Sequence, residues 1–281
     1  MGIQRSGVVT RGIGFELERH RRSAGMNLQE VGKALGVSAS TISRLENGKR
    51  EPTSEEVASI LAIIGVTGDE RERLLEESRG GNNVGLYPAT LNAQSRMYQE
   101  FERRATSLVN FELMLIPGLL QTADYARAAI SAFQFHESES EIESRVARRL
   151  ARQAILTRRK PPRLDFIVTE TALRLPMGGH KVMASQVQHL VGIADRPGVT
   201  IRVMPAGVVA HPGLTGALVI MGFSDAPTIG YIESRTSGMF LDDPTVVHQH
   251  KMVADRLQEL ALGTQESIEL MVGIEQDLHQ G

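Results

Sequence analysis

Apolar positions in the first eighty residues recur at helical spacing, and capping residues bound each run. Asn27 with Glu30 forms a capping-box pattern, Gly36 is suited to end that helix, and Ser38 is suited to cap the next. The pattern predicts an all-α N-terminal domain of five helices, over residues 14–24, 28–35, 39–46, 54–64 and 69–78.

Residues 79–92 are rich in Gly, Asn and Pro, which disfavours regular structure and predicts a linker. The domain boundaries predicted are therefore 1–78, a linker at 79–92, and a second domain over 93–281.

The second domain divides into a helical part and a part with strands. A helix is predicted over 94–109, and residues 93–160 are interpreted as helical throughout. In the α/β part, 161–281, strand-like runs appear, with a helix at 181–195 between the first two and another at 245–262 after the last. The intervening helix indicates a parallel crossover, and the fold class predicted is α+β with a small mixed sheet. The strands predicted are 164–169, 199–204, 217–223 and 228–234.

Composition excludes several classes of chemistry. The 281 residues contain no cysteine, which removes disulfide scaffolds, cysteine-ligated zinc and cysteine nucleophiles. No window approaches the roughly 18 apolar residues of a membrane helix, and residues 1–10 lack the apolar core of a signal peptide. We therefore predict a soluble, cytoplasmic protein.

The net charge of −2 conceals a segregated pattern. Residues 1–50 hold nine basic and four acidic side chains, a balance of +5, whereas residues 51–79 have a balance of −5. A basic N-terminal segment is one electrostatic feature of a nucleic-acid-binding domain.

The helices predicted at 28–35 and 39–46 are joined by a three-residue turn. Apolar residues give them a common inner surface, formed by Val31, Leu35, Val37, Ile42 and Leu45. Short hydroxyls and one long guanidinium remain outside, as a helix that enters a DNA major groove requires. These outward residues are Ser40, Thr41, Ser43 and Arg44.

The run Gly36–Pro52, with its Glu-Asn-Gly-Lys end, resembles the Xre/Cro type of helix-turn-helix domain over residues 12–66. The resemblance implies that Ala39, Ser40, Thr41 and Arg44 reach base edges, with Ser43 beside them. It implies phosphate contacts by Asn47, Lys49 and Arg50, and a structural ion pair between Arg21 and Glu46. Two positions depart from the family pattern: Leu28 replaces a common Gln that contacts phosphate, a contact that Gln29 could make instead, and His20 replaces a buried Leu.

A second resemblance covers residues 95–270. The segment Pro117–Thr122, Pro-Gly-Leu-Leu-Gln-Thr, resembles the C-terminal domain of actinobacterial WhiJ-like regulators, as do 148–153, 170–174 and Met204-Pro205. That domain has no known molecular function. The resemblance implies a small partner protein encoded nearby, as for the antitoxin half of a pair.

Acidic residues open the run 139–163, and eight basic residues follow them. Two interpretations remain for the arginines that share one helical face: a solvated stripe that complements the helix dipole, or a docking face for an acidic partner or for DNA beside the operator. These arginines are Arg145, Arg148, Arg149 and Arg152.

No motif indicates catalysis, a metal site or a cofactor. His248 and His250 lie about 200° apart on a predicted helix and do not converge. Glu170, His211 and Glu233 are interpreted as structural residues. We predict a DNA-binding transcription regulator, a homodimer and a repressor, rather than an enzyme. Two other hypotheses are an antitoxin-like protein that sequesters a partner, and a small-molecule sensor with a pocket at the carboxyl ends of the strands.

Overall fold

The computed structural model describes residues 7–79, 91–234 and 237–280, so the linker predicted at 79–92 lies almost wholly outside the described residues. The chain forms two compact units, each built from two segments. The first comprises Met1–Glu100 and Ser234–Pro244, and the second comprises Phe101–Glu233 and Thr245–Gly281.

Five helices form most of the first unit, as the apolar pattern predicts. They are α1 (Gly7–Ser23), α2 (Leu28–Leu35), α3 (Ala39–Glu46), α4 (Ser54–Ile63) and α5 (Gly68–Ser78). α1 begins seven residues before its predicted start. Val8 and Ile13 are buried in that extension, and the extra turns therefore cover apolar side chains.

The first unit also includes a segment from far along the chain. After α6 (Leu91–Arg104) and the strands of the second unit, β6 (Gly238–Leu241) returns to it. Gly238 N donates to Gln94 Oε1 at 2.7 Å, and Val8 N donates to Asp242 Oδ2 at 2.9 Å. These two bonds join segments of the first unit that lie far apart in the sequence.

Five strands of the second unit form a mixed sheet in the order β3-β2-β1-β4-β5. β1 pairs parallel with β2 and β2 parallel with β3, whereas β4 runs antiparallel to both β1 and β5. The predicted parallel crossover is confirmed by the β2–β3 pair. The strands are β1 (Ser107–Glu112), β2 (Arg163–Thr169), β3 (Val199–Met204), β4 (Leu218–Gly222) and β5 (Ile229–Glu233).

The helical interpretation of residues 93–160 is wrong, because β1 and several non-helical connections interrupt the helices. α6 ends at Arg104, and the residues predicted as its last turn form β1, in which Leu108 and Phe111 are buried. The helix that begins at residue 139 ends at Arg152 and continues as a short 3-10 segment.

Helices cover the sheet. They are α7 (Ala123–Phe133), α8 (Glu139–Arg152), α9 (Glu170–Arg174), α10 (His180–Ala194), α11 (Pro244–Leu260) and α12 (Thr264–Gln280). On one sheet face Phe111 and Ile167 pack with Leu257 of α11 in a buried cluster. No helix among the described residues is both long enough and apolar enough to cross a membrane.

Candidate nucleic-acid interface

The start of α2 is fixed by the capping box that the sequence predicts. Asn27 Oδ1 accepts from the backbone N–H groups of Gln29 and Glu30, both at 2.9 Å. Glu30 Oε2 accepts in return from Asn27 N at 2.7 Å. Two of the donors that a helix leaves unpaired at its start are thereby satisfied on α2 itself.

The turn between α2 and α3 is closed by Gly36 and Ser38. Gly36 has φ +75°, a backbone conformation that glycine adopts without a Cβ penalty. Ser38 Oγ accepts from Thr41 N at 3.1 Å and caps α3. The turn therefore sets the angle at which α3 leaves α2.

The inner face of α3 is packed tightly on the first unit. Ile42 and Leu45 are completely buried. α1 approaches so closely at Gly14 that a Cβ there would lie 2.5 Å from the carbonyl oxygen of Leu45. Gly32 of α2 has a similar role, since its Cβ would lie 2.8 Å from the carbonyl oxygen of Val37. The need for glycine at 14 and 32 has no signal in the hydrophobic pattern.

Arg21 and Glu46 form a buried ion pair behind α3. Arg21 Nε lies 2.6 Å from Glu46 Oε1, and Arg21 NH2 lies 2.8 Å from Oε2. Arg21 also donates to the carbonyl oxygen of Met26 at 2.7 Å. The residues are 7% and 3% exposed, and the hydrogen bonds that Arg21 donates to Glu46 raise the pKa of Arg21 above its ordinary value. The fork geometry connects α1, the α1–α2 turn and α3.

The outer face of α3 has the residues predicted to reach base edges. Ser40 and Arg44 are exposed, whereas Ala39, Thr41 and Ser43 are partly buried. Ser38 Oγ lies 2.8 Å from Ser40 Oγ and 2.9 Å from Thr41 Oγ1, forming a small hydroxyl cluster at the start of the helix. Within the described part of the chain, no side chain pairs with the Arg44 guanidinium.

The residues predicted to contact phosphate follow α3 directly. Asn47 Nδ2 donates to the carbonyl oxygen of Ser43 at 2.8 Å, which holds the amide near the helix end. Lys49 is exposed. Arg50 is half-buried and pairs with Glu56 of α4.

A shallow depression of about 750 Å³ lies beside the start of α2. Its lining includes Arg22 and Gln29, which are exposed, and Ala39 at the start of α3. Leu28 packs partly on the apolar core, so its side chain is not a polar contact there. Arg22 does not belong to the motif from which we predicted the interface. Its place in the last turn of α1 and its charge are the signals that could have identified it.

His20 belongs to an ionic cluster between α1 and α5. Its Nε2 lies 3.2 Å from Glu70 Oε1 and 3.9 Å from Glu16 Oε2. Arg19 and Arg73 also donate to these carboxylates, which are therefore occupied by guanidinium groups. Burial, and then the charge of Arg19, lower the pKa of His20.

The four arginines of α8 have different surroundings. Arg145 pairs with Glu137, and Arg152 donates to both oxygens of Glu102 at 2.8 Å. Arg149 NH1 donates to Gln121 Oε1 at 2.8 Å. Arg148 is exposed, and it donates to Ser144 Oγ at 2.6 Å on its own helix.

The three polar residues at strand ends do not come together. Glu170 accepts from Arg174 at 2.8 Å and from Ala206 N at 2.9 Å. His211 packs edge-on against Phe111, with ring centroids 6.0 Å apart. Glu233 is exposed at the end of β5.

Two family models match the chain, and together they cover most of it. Residues 13–74 match a helix-turn-helix domain, which contains α2, the turn and α3. Residues 95–272 match a domain of unknown function, DUF5753. No curated protein and no solved structure matches the chain. Because the second match spans more than half of its length, the chain belongs to the DUF5753 family and joins that domain to an N-terminal helix-turn-helix domain.

Proposed function

We propose that this protein is a sequence-specific transcription regulator that inserts α3 into the major groove of DNA. The observation that carries the proposal is the two-sided character of α3. Ile42, Leu45 and Glu46 are buried behind it, while Arg44 projects without a partner among the described side chains. An arginine in this setting forms a bidentate contact to guanine.

Affinity and specificity reside in different residues under this proposal. Ser40, Thr41 and Arg44, with Ala39 and Ser43 beside them, meet base edges. Phosphate contacts fix the register and are made by Asn47, Lys49 and Arg50. Arg22 and Gln29, at the depression beside α2, extend the same contact along the DNA backbone.

The protein acts as a homodimer in this proposal, since one α3 reads too little sequence alone. Eight residues at a rise of about 1.5 Å give a helix of about 12 Å, which faces only about four base pairs. Two copies on half-sites about 34 Å apart double the number of bases read. Repression follows if the operator overlaps a promoter.

In this proposal the C-terminal domain receives the regulatory signal. The signal is an effector molecule or a small protein encoded nearby. Phe135, which is 82% exposed between α7 and α8, favours a protein partner at that turn. In the antitoxin-like alternative, the chain chiefly sequesters that partner.

The test begins with genome-wide mapping of bound sites, which yields the operator for gel-shift titrations. Arg44→Ala is expected to lower discrimination between operator and mutated operator by about 1–3 kcal/mol, because the guanine contact is lost. Asn47→Ala is expected to weaken binding to the operator and to the mutated operator by the same factor, because a phosphate contact does not depend on the base sequence. Operator binding that is unchanged in both variants would contradict the role given to α3.

A further inference from the structure

A cluster of polar residues occupies the sheet face opposite α11. Neighbouring residues of a strand point to opposite faces. Asn110 and Glu112 of β1 therefore lie on the face opposite to that of Phe111. Val219 of β4 pairs with both Asn110 and Tyr231. Residues in register across strands share a face, and Tyr231 with Glu233 of β5 therefore extends this polar row.

Arg149 of α8 interacts electrostatically with Glu112 and Glu233 of this face, and its charge is only partly compensated. Its NH1 donates to Gln121 Oε1, and the described residues provide it with no carboxylate within ion-pair distance. Its neighbour Arg152, in contrast, is paired through two bonds with Glu102. A guanidinium has five N–H donors in a planar fork, so Arg149 retains donors that the described chain does not use.

Glu112 lies close enough to feel the charge of Arg149. The carboxyl is half-buried and accepts one hydrogen bond, from Asn110 Nδ2 at 3.3 Å. Burial chiefly, and then Glu233, raise its pKa to about 7, although Asn110 and Arg149 act in the opposite direction. Near neutral pH the group is therefore half protonated, and its protonated form donates a hydrogen bond.

We propose that Arg149 and Glu112 bind a small oxyanion, a carboxylate or a phosphate, carried by an effector molecule. The fork of Arg149 matches two oxygens of such a group, and protonated Glu112 donates to the same anion. The inference names the chemistry of the effector, and it rests on the proposed regulatory function only for its consequence at the operator.

Binding of the anion takes up a proton at Glu112. The charged and titratable groups that act on Glu112 are Arg149 of α8, Tyr125 of α7 and Glu233 of β5. Arg152 acts in turn on Arg149, and Tyr231 interacts with Glu233. An ionised Glu112 repels the anion. Affinity is therefore expected to rise as the pH falls from 8 to 6, by at most about tenfold per unit above the pKa.

The experiment titrates the full-length chain with benzoate and with inorganic phosphate by calorimetry, so that the two arms separate a carboxylate from a phosphate ligand. Arg149→Gln is expected to reduce affinity for the preferred anion at least tenfold, and Arg149→Lys less. The matched control is Arg148→Gln, one residue away and exposed, which should bind as the unchanged chain does. Benzoate keeps its charge between pH 6 and 8, so Glu112→Gln should abolish the pH dependence seen with it.

Three results would overturn the proposal: no binding of either anion at millimolar concentration, equal binding by Arg149→Gln, or binding of a cation such as spermidine instead. Should Arg149→Gln fail to fold, the Nε–Hε NMR signal of Arg149 in the unchanged chain must shift with benzoate, and an unmoved signal contradicts the site. If the affinity for the operator is the same with and without the bound anion, the effector role is contradicted. Arg44→Ala separates the two proposals, because it should leave anion binding intact.

Discussion

At the scale of single residues, the ion pair between Arg21 and Glu46 decides how firmly α3 is held. Removing one partner of a buried pair leaves the other charge without compensation in a poorly solvated place. Replacing both partners with apolar residues removes that penalty. The pair therefore allows a clear distinction between loss of charge and loss of packing.

We expect Glu46→Ala to destabilise the first unit by about 3–5 kcal/mol, because Arg21 stays buried without its carboxylate. Urea unfolding of the full-length chain measures the change. Arg21→Met combined with Glu46→Leu should cost much less. The control, Glu72→Ala on the exposed side of α5, should change stability by less than about 0.5 kcal/mol, and an equal loss in Glu46→Ala and Glu72→Ala would disprove the argument.

Glu70 makes the first unit sensitive to acid. Its hydrogen bonds from Arg73 are the largest favourable cause that lowers its pKa from 4.5 to about 2. Its contribution to stability is complete above pH 4.5 and is lost as the pH falls towards 2. The lowered pKa of His20 also destabilises the folded chain as the pH falls. Below pH 6.5 the unfolded chain protonates this histidine more readily than the folded chain does.

We therefore expect the melting temperature to fall on acidification from pH 4.5 to 2, and to fall less steeply in Glu70→Gln. Thermal unfolding at half-unit steps of pH measures both slopes. Glu72→Gln, on the same helix, should follow the unchanged chain. If the melting temperatures of Glu70→Gln and Glu72→Gln depend on pH in the same way, Glu70 does not cause the acid sensitivity.

At the scale of the elements, Gly14, which lies against the backbone of α3, can be compared with Gly192, a helical glycine with no close neighbour. A Cβ at 14 would collide with backbone carbonyls of α3, which cannot rotate away, whereas at Gly192 of α10 no atom lies within 4 Å. We expect Gly14→Ala to destabilise the first unit, and Gly192→Ala to stabilise its helix by about 0.5–1 kcal/mol through backbone entropy. Unfolding midpoints of the two variants test the contrast, which fails if Gly14→Ala is neutral.

The elements that sequence predicts best are those fixed by nearby residues. α2 and α3 match the predicted bounds because Asn27, Gly36 and Ser38 act within three or four residues of the helix ends. β2 and β3 match closely, since β-branched and other apolar residues dominate both runs, and Pro162 and Gly198 stand directly before them.

β1, which the sequence pattern did not predict, as it did not predict β6 or α12, depends on distant partners. Ser107 pairs with Arg163 on one side and Gly222 on the other. Leu108 continues the helical stripe of Met97 and Phe101, and nothing local contradicts a longer helix. The proposed interface residues come from a local sequence motif. The polar cluster around Arg149 was not predictable, because its residues lie far apart in the sequence, on β1, β5, α7 and α8.

At the scale of the whole molecule, the charge of −2 obscures the property that matters for DNA. Residues 1–50, which have a net charge of +5, include α3 and the residues that directly follow it. We expect operator affinity to fall linearly with the logarithm of salt concentration, because phosphate contacts release counterions. Lys49→Ala should reduce the slope by about one unit. Gel shifts at four salt concentrations measure it, and a slope unaffected by Lys49→Ala would contradict a phosphate contact there.

Dimerisation is the second property of the whole molecule. If two copies read the operator, light scattering of the complex should give two chains per duplex. Moving the half-sites apart by five base pairs, about half a helical turn, should abolish tight binding. A complex of one chain per duplex, insensitive to this spacing, would contradict the homodimer.

The division of α3 into a buried face and an exposed face has a consequence for how such regulators diverge. Ser40 and Arg44 contribute little to the packing that Ile42 and Leu45 maintain. Gene duplication followed by changes at the exposed positions could therefore give a new operator preference at almost no cost in folding. A genome could in this way accumulate many regulators with one scaffold and separate target genes.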